Sequence, residues 1–121
     1  MNPPQYDPEL QESLRLFKAE IFQALAHPTR IAMVELLRQG ELVSGAFTEA
    51  LGIEPANASQ HLAVLRDKRV VKKRKEGNQV HYSLRDPSLI EILDLLRGYF
   101  ERDLRESYAM LREIVTEGQP R

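Results

Sequence analysis

Between Leu89 and Val115, apolar side chains recur at steps of three and four: Leu89, Leu93, Leu96, Phe100, Leu104, Tyr108, Leu111 and Val115. That spacing is one face of an α-helix of about 28 residues, roughly 42 Å long at ~1.5 Å per residue, opened by Asp86-Pro87. The whole chain has 121 residues. A domain of that size has a radius of gyration near ~13 Å and cannot cover so long a stripe from its own core. The stripe therefore predicts pairing with a second subunit. The same length leaves room for one compact domain, 1–121, and for no second core.

Hydrophobic residues at 42% and charged residues at 29% are the balance of a soluble, folded chain. No apolar run approaches the ~20 residues of a membrane span, and the Met-Asn-Pro-Pro-Gln-Tyr-Asp start has neither a basic leader nor an apolar stretch, so a cytoplasmic protein away from membranes is expected. The absence of cysteine removes disulfides, thiolate metal sites, catalytic thiols and thiol redox switches together. Residues 1–6 and 118–121 read as frayed ends.

Along the chain, Asp7-Pro8-Glu9 supplies an N-cap, a first-turn proline and an acid at the positive end of a helix dipole. Leu10, Leu14, Phe17, Ile21 and Leu25 then mark a helix over 7–26. Pro28 starts a second helix, with Ile31, Val34 and Leu37 on one face, that ends at Gln39-Gly40. Ser44 is the expected cap of a short third helix containing Phe47, Ala50 and Leu51, closed by Gly52 in a left-handed turn. Glu54-Pro55 reopens a helix with Ala58, Leu62 and Leu65 inward and Asn57, Gln60, His61 and Arg66 outward. Val70-Val71 and the alternating Val80-His81-Tyr82-Ser83-Leu84 flank Glu76-Gly77-Asn78 as a β-hairpin. The fold predicted is mainly α with a small β-hairpin: a winged helix-turn-helix of five helices plus wing. Helix-turn-helix falls at 44–69, wing at 70–85 and terminal helix at 86–117.

Net charge is only −1, but residues 66–75 carry seven basic side chains and one acidic, a local +6 that leaves −7 on the rest. Placed on and beside a hairpin that follows a polar helix, this block marks an electrostatic footprint for a polyanion. A helix fits the DNA major groove, and a basic hairpin reaches the adjacent backbone or minor groove.

The stretches Ala24-Leu25-Ala26-His27-Pro28-Thr29-Arg30-Ile31, Ala50-Leu51-Gly52-Ile53, Ser59-Gln60-His61-Leu62-Ala63-Val64-Leu65-Arg66 and Gly77-Asn78-Gln79-Val80-His81-Tyr82-Ser83-Leu84 resemble the ArsR/SmtB family of bacterial repressors over roughly residues 15 to 100. The resemblance implies a homodimeric winged-helix repressor on an inverted-repeat operator, usually released by an inducer. Where metal-responsive members carry Cys-Val-Cys-Asp, this chain has Val43, Ser44, Gly45 and Ala46. Its last helix has no histidine for the family's second metal site. Metal sensing by either route is therefore not expected, and neither metal nor cofactor is assigned. Glu54-Pro55-Ala56-Asn57 stands where Ser-Gln-Pro-Ala is common, which puts an acid near the entry to the groove.

His27, His61 and His81 lie on separate elements with no carboxylate at i+3 or i+4, a poor metal set. For His27, a helix cap or a buried contact is the better reading, and for His61 and His81 a groove-side or packing role. Ser59-Gln60-His61 is not hydrolytic, because neighbours on a helix point apart and no acid orients the imidazole. No catalytic residue is assigned.

The expected DNA contacts are Asn57, Ser59, Gln60, His61 and Arg66 on the second helix of the motif, with Lys73, Arg74, Lys75, Asn78 and Gln79 on the wing. The expected homodimer interface combines Leu10, Leu14 and Phe17 with Leu89, Leu93, Leu96, Phe100 and Leu104. The expected partners are double-stranded DNA and a second copy; no residue pattern names an inducer. A winged-helix module for a protein or RNA partner is the alternative from another class.

Overall fold

A computed structural model describes residues 7–118; of the ends expected to fray, 1–6 and 119–121 lie outside them, whereas Gly118 is the last residue of a helix. The order is α1 (Pro8–Leu25), α2 (Pro28–Leu36) with a 3-10 turn (Leu37–Gln39), β1 (Leu42–Val43), α3 (Ser44–Leu51), α4 (Pro55–Asp67), β2 (Val71–Glu76), β3 (Gln79–Leu84) and α5 (Ser88–Gly118). Two units divide between Pro87 and Ser88.

In the first unit, α1 and α2 start where the sequence provides a side-chain partner for the free backbone N–H groups. Asp7 Oδ1 accepts from Leu10 N at 2.8 Å ahead of Pro8. His27 caps α2 as expected, its Nδ1 accepting from Thr29 N at 3.1 Å, with Pro28 in the first turn.

The expected Ser44 cap does not form. Ser44 is the first helical residue, and the N-cap is Val43, at φ −76° and ψ 154°, without a side-chain hydrogen bond. Val43 is drawn into an extended conformation because Leu42 and Val43 pair antiparallel with Tyr82 and His81 of β3. The wing is thus a three-stranded sheet of order β1-β3-β2, one strand more than the sequence pattern shows.

The core of this unit gathers Ala24, Leu25, Met33, Val34, Leu37, Phe47, Ala58, Leu62, Leu65, Val70 and Val71, all buried. Phe47 is fully buried and meets Tyr82 edge-on, ring centroids 6.1 Å apart at 84°, which fixes α3 to the sheet. Truncating such a phenylalanine to alanine costs about 3–5 kcal/mol, a large part of a small domain's stability.

The chain leaves α4 through a left-handed Arg69 at φ 66°. Val70 N donates to Leu65 O at 2.8 Å and Arg69 N to Arg66 O at 3.0 Å. These are the two bonds of a Schellman ending, with buried Val70 and Leu65 as its apolar contact.

The second unit is α5, a single helix of 31 residues, about 46 Å long. Its apolar side chains from Leu95 to Val115, including Leu96, Phe100, Leu104, Tyr108 and Leu111, are exposed in the single chain. On α1, Leu10, Leu14, Leu16, Phe17 and Phe22 are exposed as well. No helix among the described residues is long and apolar enough to cross a membrane.

Candidate nucleic-acid interface

α3 and α4 are set apart by Gly52, which takes φ 63° where a side chain would strain the backbone. Along α4, Ala58, Leu62 and Leu65 face the core. Asn57, Ser59, Gln60 and Arg66 are exposed on the opposite side. At 100° per residue Gln60 lies near the middle of that face, with Asn57 on one flank and Ser59 and Arg66 on the other. A band of amide and hydroxyl groups at this spacing has the donors and acceptors that read base edges. Arg66 is also 3.4 Å from Asp67 Oδ1.

His61 does not flank Gln60 on that face. It is half-buried and turned toward α2, its ring centroid 4.4 Å from that of His27 and its Nδ1 3.3 Å from Arg30 Nη1. Its position one residue after Gln60 rotates it a quarter-turn toward the core. Burial first, then the neighbouring His27 and Arg30, lower its pKa.

On the wing, Lys73, Arg74, Lys75, Asn78 and Gln79 are all exposed. The turn is a two-residue loop, Gly77-Asn78, between Glu76 and Gln79, with Gly77 at φ 61°. A positive φ at the first loop residue alone is the II′ pattern, which suits the strand twist. Strand alternation puts Arg74 on the face opposite Lys73 and Lys75. On its own face, Arg74 Nη2 donates to Glu41 Oε1 at 2.6 Å, Nε to Glu41 Oε2 at 3.4 Å and Nη1 to Glu76 Oε2 at 2.6 Å. His81, paired across the ladder with Arg74, brings Nδ1 to 3.2 Å from Glu41 Oε1. The hydrogen bonds from Arg74 hold the Glu41 and Glu76 carboxyls below their usual range, and the same bonds, Glu41 first, raise the arginine.

Glu41 has no place among the sequence-derived candidates. It reaches the wing only through β1, and the only local signal was the two-residue apolar pair after it. Exposed Lys72, on the Arg74 face, also belongs to the basic surface.

Of the dimer candidates, Leu10, Leu14, Phe17, Leu96, Phe100 and Leu104 are exposed, whereas Leu89 and Leu93 are buried in the single chain. Among the described residues no group of three or more His, Asp or Glu side chains is arranged to hold a metal ion.

Residues 27–73 match the family model described as bacterial regulatory protein, arsR family. An uncharacterized HTH-type transcriptional regulator of Mycobacterium tuberculosis (strain ATCC 25618 / H37Rv) is 39% identical over 112 residues, 88% of this chain and 95% of the relative. The chain belongs to the arsR family of bacterial regulatory proteins. A crystal structure from M. tuberculosis superposes on this ArsR-family chain with TM-score 0.71 at 36% identity, over 85% of this chain and 99% of the other. The solution structure of a homodimeric winged helix-turn-helix DNA-binding domain from Mycobacterium bovis, a possible ArsR-family regulator, gives TM-score 0.69 at 26% identity, covering 83% and 91%. The matched segment of the family model spans α2, β1, α3 and α4 and ends inside β2, so it contains both the amide-rich helix face and the start of the basic strand.

Proposed function

We propose that this chain is a homodimeric, sequence-specific DNA-binding transcriptional regulator of the cytoplasm that acts as a repressor on an inverted-repeat operator and performs no covalent chemistry. One observation carries the reading. A single folded unit presents a polar, amide-bearing helix face, Asn57, Ser59 and Gln60, together with an exposed basic hairpin, Lys72 to Lys75. The helix face is suited to base edges and the hairpin to phosphates, the division of labour of a winged helix on duplex DNA. The homodimeric DNA-binding domain from M. bovis supports both partners by similarity. In this reading 44–69 is the helix-turn-helix, 70–85 the wing, and 7–26 with 86–117 the dimerisation helices.

The exposed apolar side chains of α1 and α5 supply the second-subunit surface. Two-fold symmetry then sets two α4 helices about one helical turn of DNA apart, ~34–36 Å. With Val43, Ser44, Gly45 and Ala46 at the start of α3 and no cysteine in the chain, release by zinc, cadmium or arsenite is not part of the function. Selection of duplexes from a random-sequence pool by the purified protein, followed by mobility shift with competitor DNA, tests the reading. Enrichment of an inverted repeat is the expected result. Equal retention of all sequences, or a preference for RNA or protein, overturns it.

A further inference from the structure

Arg74 differs from the lysines beside it. Each of its three guanidinium nitrogens is within hydrogen-bond distance of a carboxylate, two on Glu41 and one on Glu76. Lys73 and Lys75 point to the opposite face by strand alternation, and no ion pair among the described residues holds them. The arrangement is built from three strands. Arg74 pairs in register with His81, and His81 with Val43, and Glu41 lies two residues before Val43 on the same face. His81, with a side chain only 18% exposed, backs the Glu41 carboxylate at 3.2 Å. A planar fork held side-on by one carboxylate and end-on by another is a directed contact, unlike the loose pairing of a surface lysine.

We infer that Glu41, with Glu76, is a specificity-determining residue of the wing: the two carboxylates clasp Arg74, so that the isolated phosphates of arbitrary DNA recruit it poorly while a duplex that offers the arginine a shaped groove as well displaces them. The inference rests on the DNA-binding reading above. Both carboxylates compete with phosphate for the same nitrogens, so Arg74 contributes less counterion release on random sequence than its charge implies. Exposed ion pairs are individually weak, so the exchange is graded and remains open to a ligand that adds hydrogen bonds or a narrow minor groove to the charge. The clasp lowers non-specific affinity more than cognate affinity, and that difference is specificity.

A double-mutant cycle separates the clasp from simple removal of a negative charge. Wild type, Glu41→Gln, Arg74→Ala and the double variant are titrated with the duplex selected by the wild-type protein and with a scrambled duplex of the same composition. Glutamine keeps a hydrogen-bond acceptor for His81 and removes the charge that holds Arg74. Glu41→Gln is expected to bind scrambled DNA about threefold tighter at ~0.15 M salt, with the slope of log K against log salt steeper by about 1, and to lose about threefold in the selected-to-scrambled ratio. In the Arg74→Ala background the same substitution is expected to change scrambled binding by less than about 1.5-fold. Equal tightening in both backgrounds, no change in either, or weaker binding of Glu41→Gln to both duplexes overturns the clasp. A wild-type protein that binds neither duplex overturns the DNA-binding reading itself.

Discussion

The imidazoles of His61 on α4 and His27 at the head of α2 lie with centroids 4.4 Å apart at 49°, and Arg30 Nη1 sits 3.3 Å from His61 Nδ1. A guanidinium only donates, so His61 Nδ1 is the acceptor and its lone pair must be free. The same Arg30 donates from Nε to Ala24 O at 2.6 Å and from Nη2 to Gln23 O at 3.3 Å, both carbonyls of the last turn of α1. One arginine thus ties the end of α1 to α4, and a neutral His61 completes the link.

Burial, then His27 and Arg30, lower the His61 pKa in the folded protein. The unfolded chain therefore takes up the proton first as pH falls. Stability is fully present above about 6.5, the unfolded value, and declines below it toward the folded pKa. Denaturant midpoints measured from pH 7.5 down to 5 should fall more steeply for wild type than for His61→Gln. Parallel curves would show that His61 does not titrate in this way.

The helices were legible because their caps and apolar spacings are local: Asp7, His27, Pro28 and Gly52 act as the sequence implies. β1 was not, since two residues carry no periodicity and their pairing with β3 is a contact across some forty positions. The same gap hid Glu41 and with it the carboxylate that Arg74 meets across the sheet. For His61 the sequence left a groove-side and a packing role open, because its neighbours suggest a polar face while the partners that α2 supplies for an imidazole are remote in sequence.

Arg69 occupies the left-handed position of the Schellman ending of α4, at φ 66°, where glycine has no Cβ penalty. Arg69→Gly should raise stability by about 0.5–1 kcal/mol, or a few degrees in Tm, despite removing a positive charge. Calorimetry checks this, and an unchanged or lower Tm would mean that the arginine side chain offsets its own backbone strain.

Phe100 and Leu104 are 59% and 54% exposed on α5. Phe100→Glu and Leu104→Glu together should leave helical content intact by circular dichroism, shift light scattering from dimer to monomer, and weaken operator binding roughly 100-fold, since one half-site contact replaces two. Leu93 is only 8% exposed, so a charge there would test folding rather than assembly. A double variant that remains dimeric would remove α5 from the interface.

Gln60 and the two lysines on the Lys73 face of the wing should separate specificity from affinity. The Gln60 side chain is an exposed amide in the middle of the α4 face, able to bond adenine N6 and N7 together. Gln60→Ala should cost about 1–3 kcal/mol on the selected operator and little on scrambled DNA, leaving the salt slope unchanged. Lys73 and Lys75 offer point charges with no fixed geometry, so each alanine variant should weaken both duplexes alike and reduce the slope of log K against log salt by about 1. Asn57, on the flank, should behave like Gln60 with a smaller loss. His61→Ala should behave like neither: its half-buried ring supports α4 from behind, so its loss should lower the thermal midpoint together with operator affinity. Fluorescence titrations of each variant on both duplexes at several salt concentrations provide all the slopes. If Gln60→Ala lowered both affinities equally, the exposed face of α4 would not be the one that reads bases.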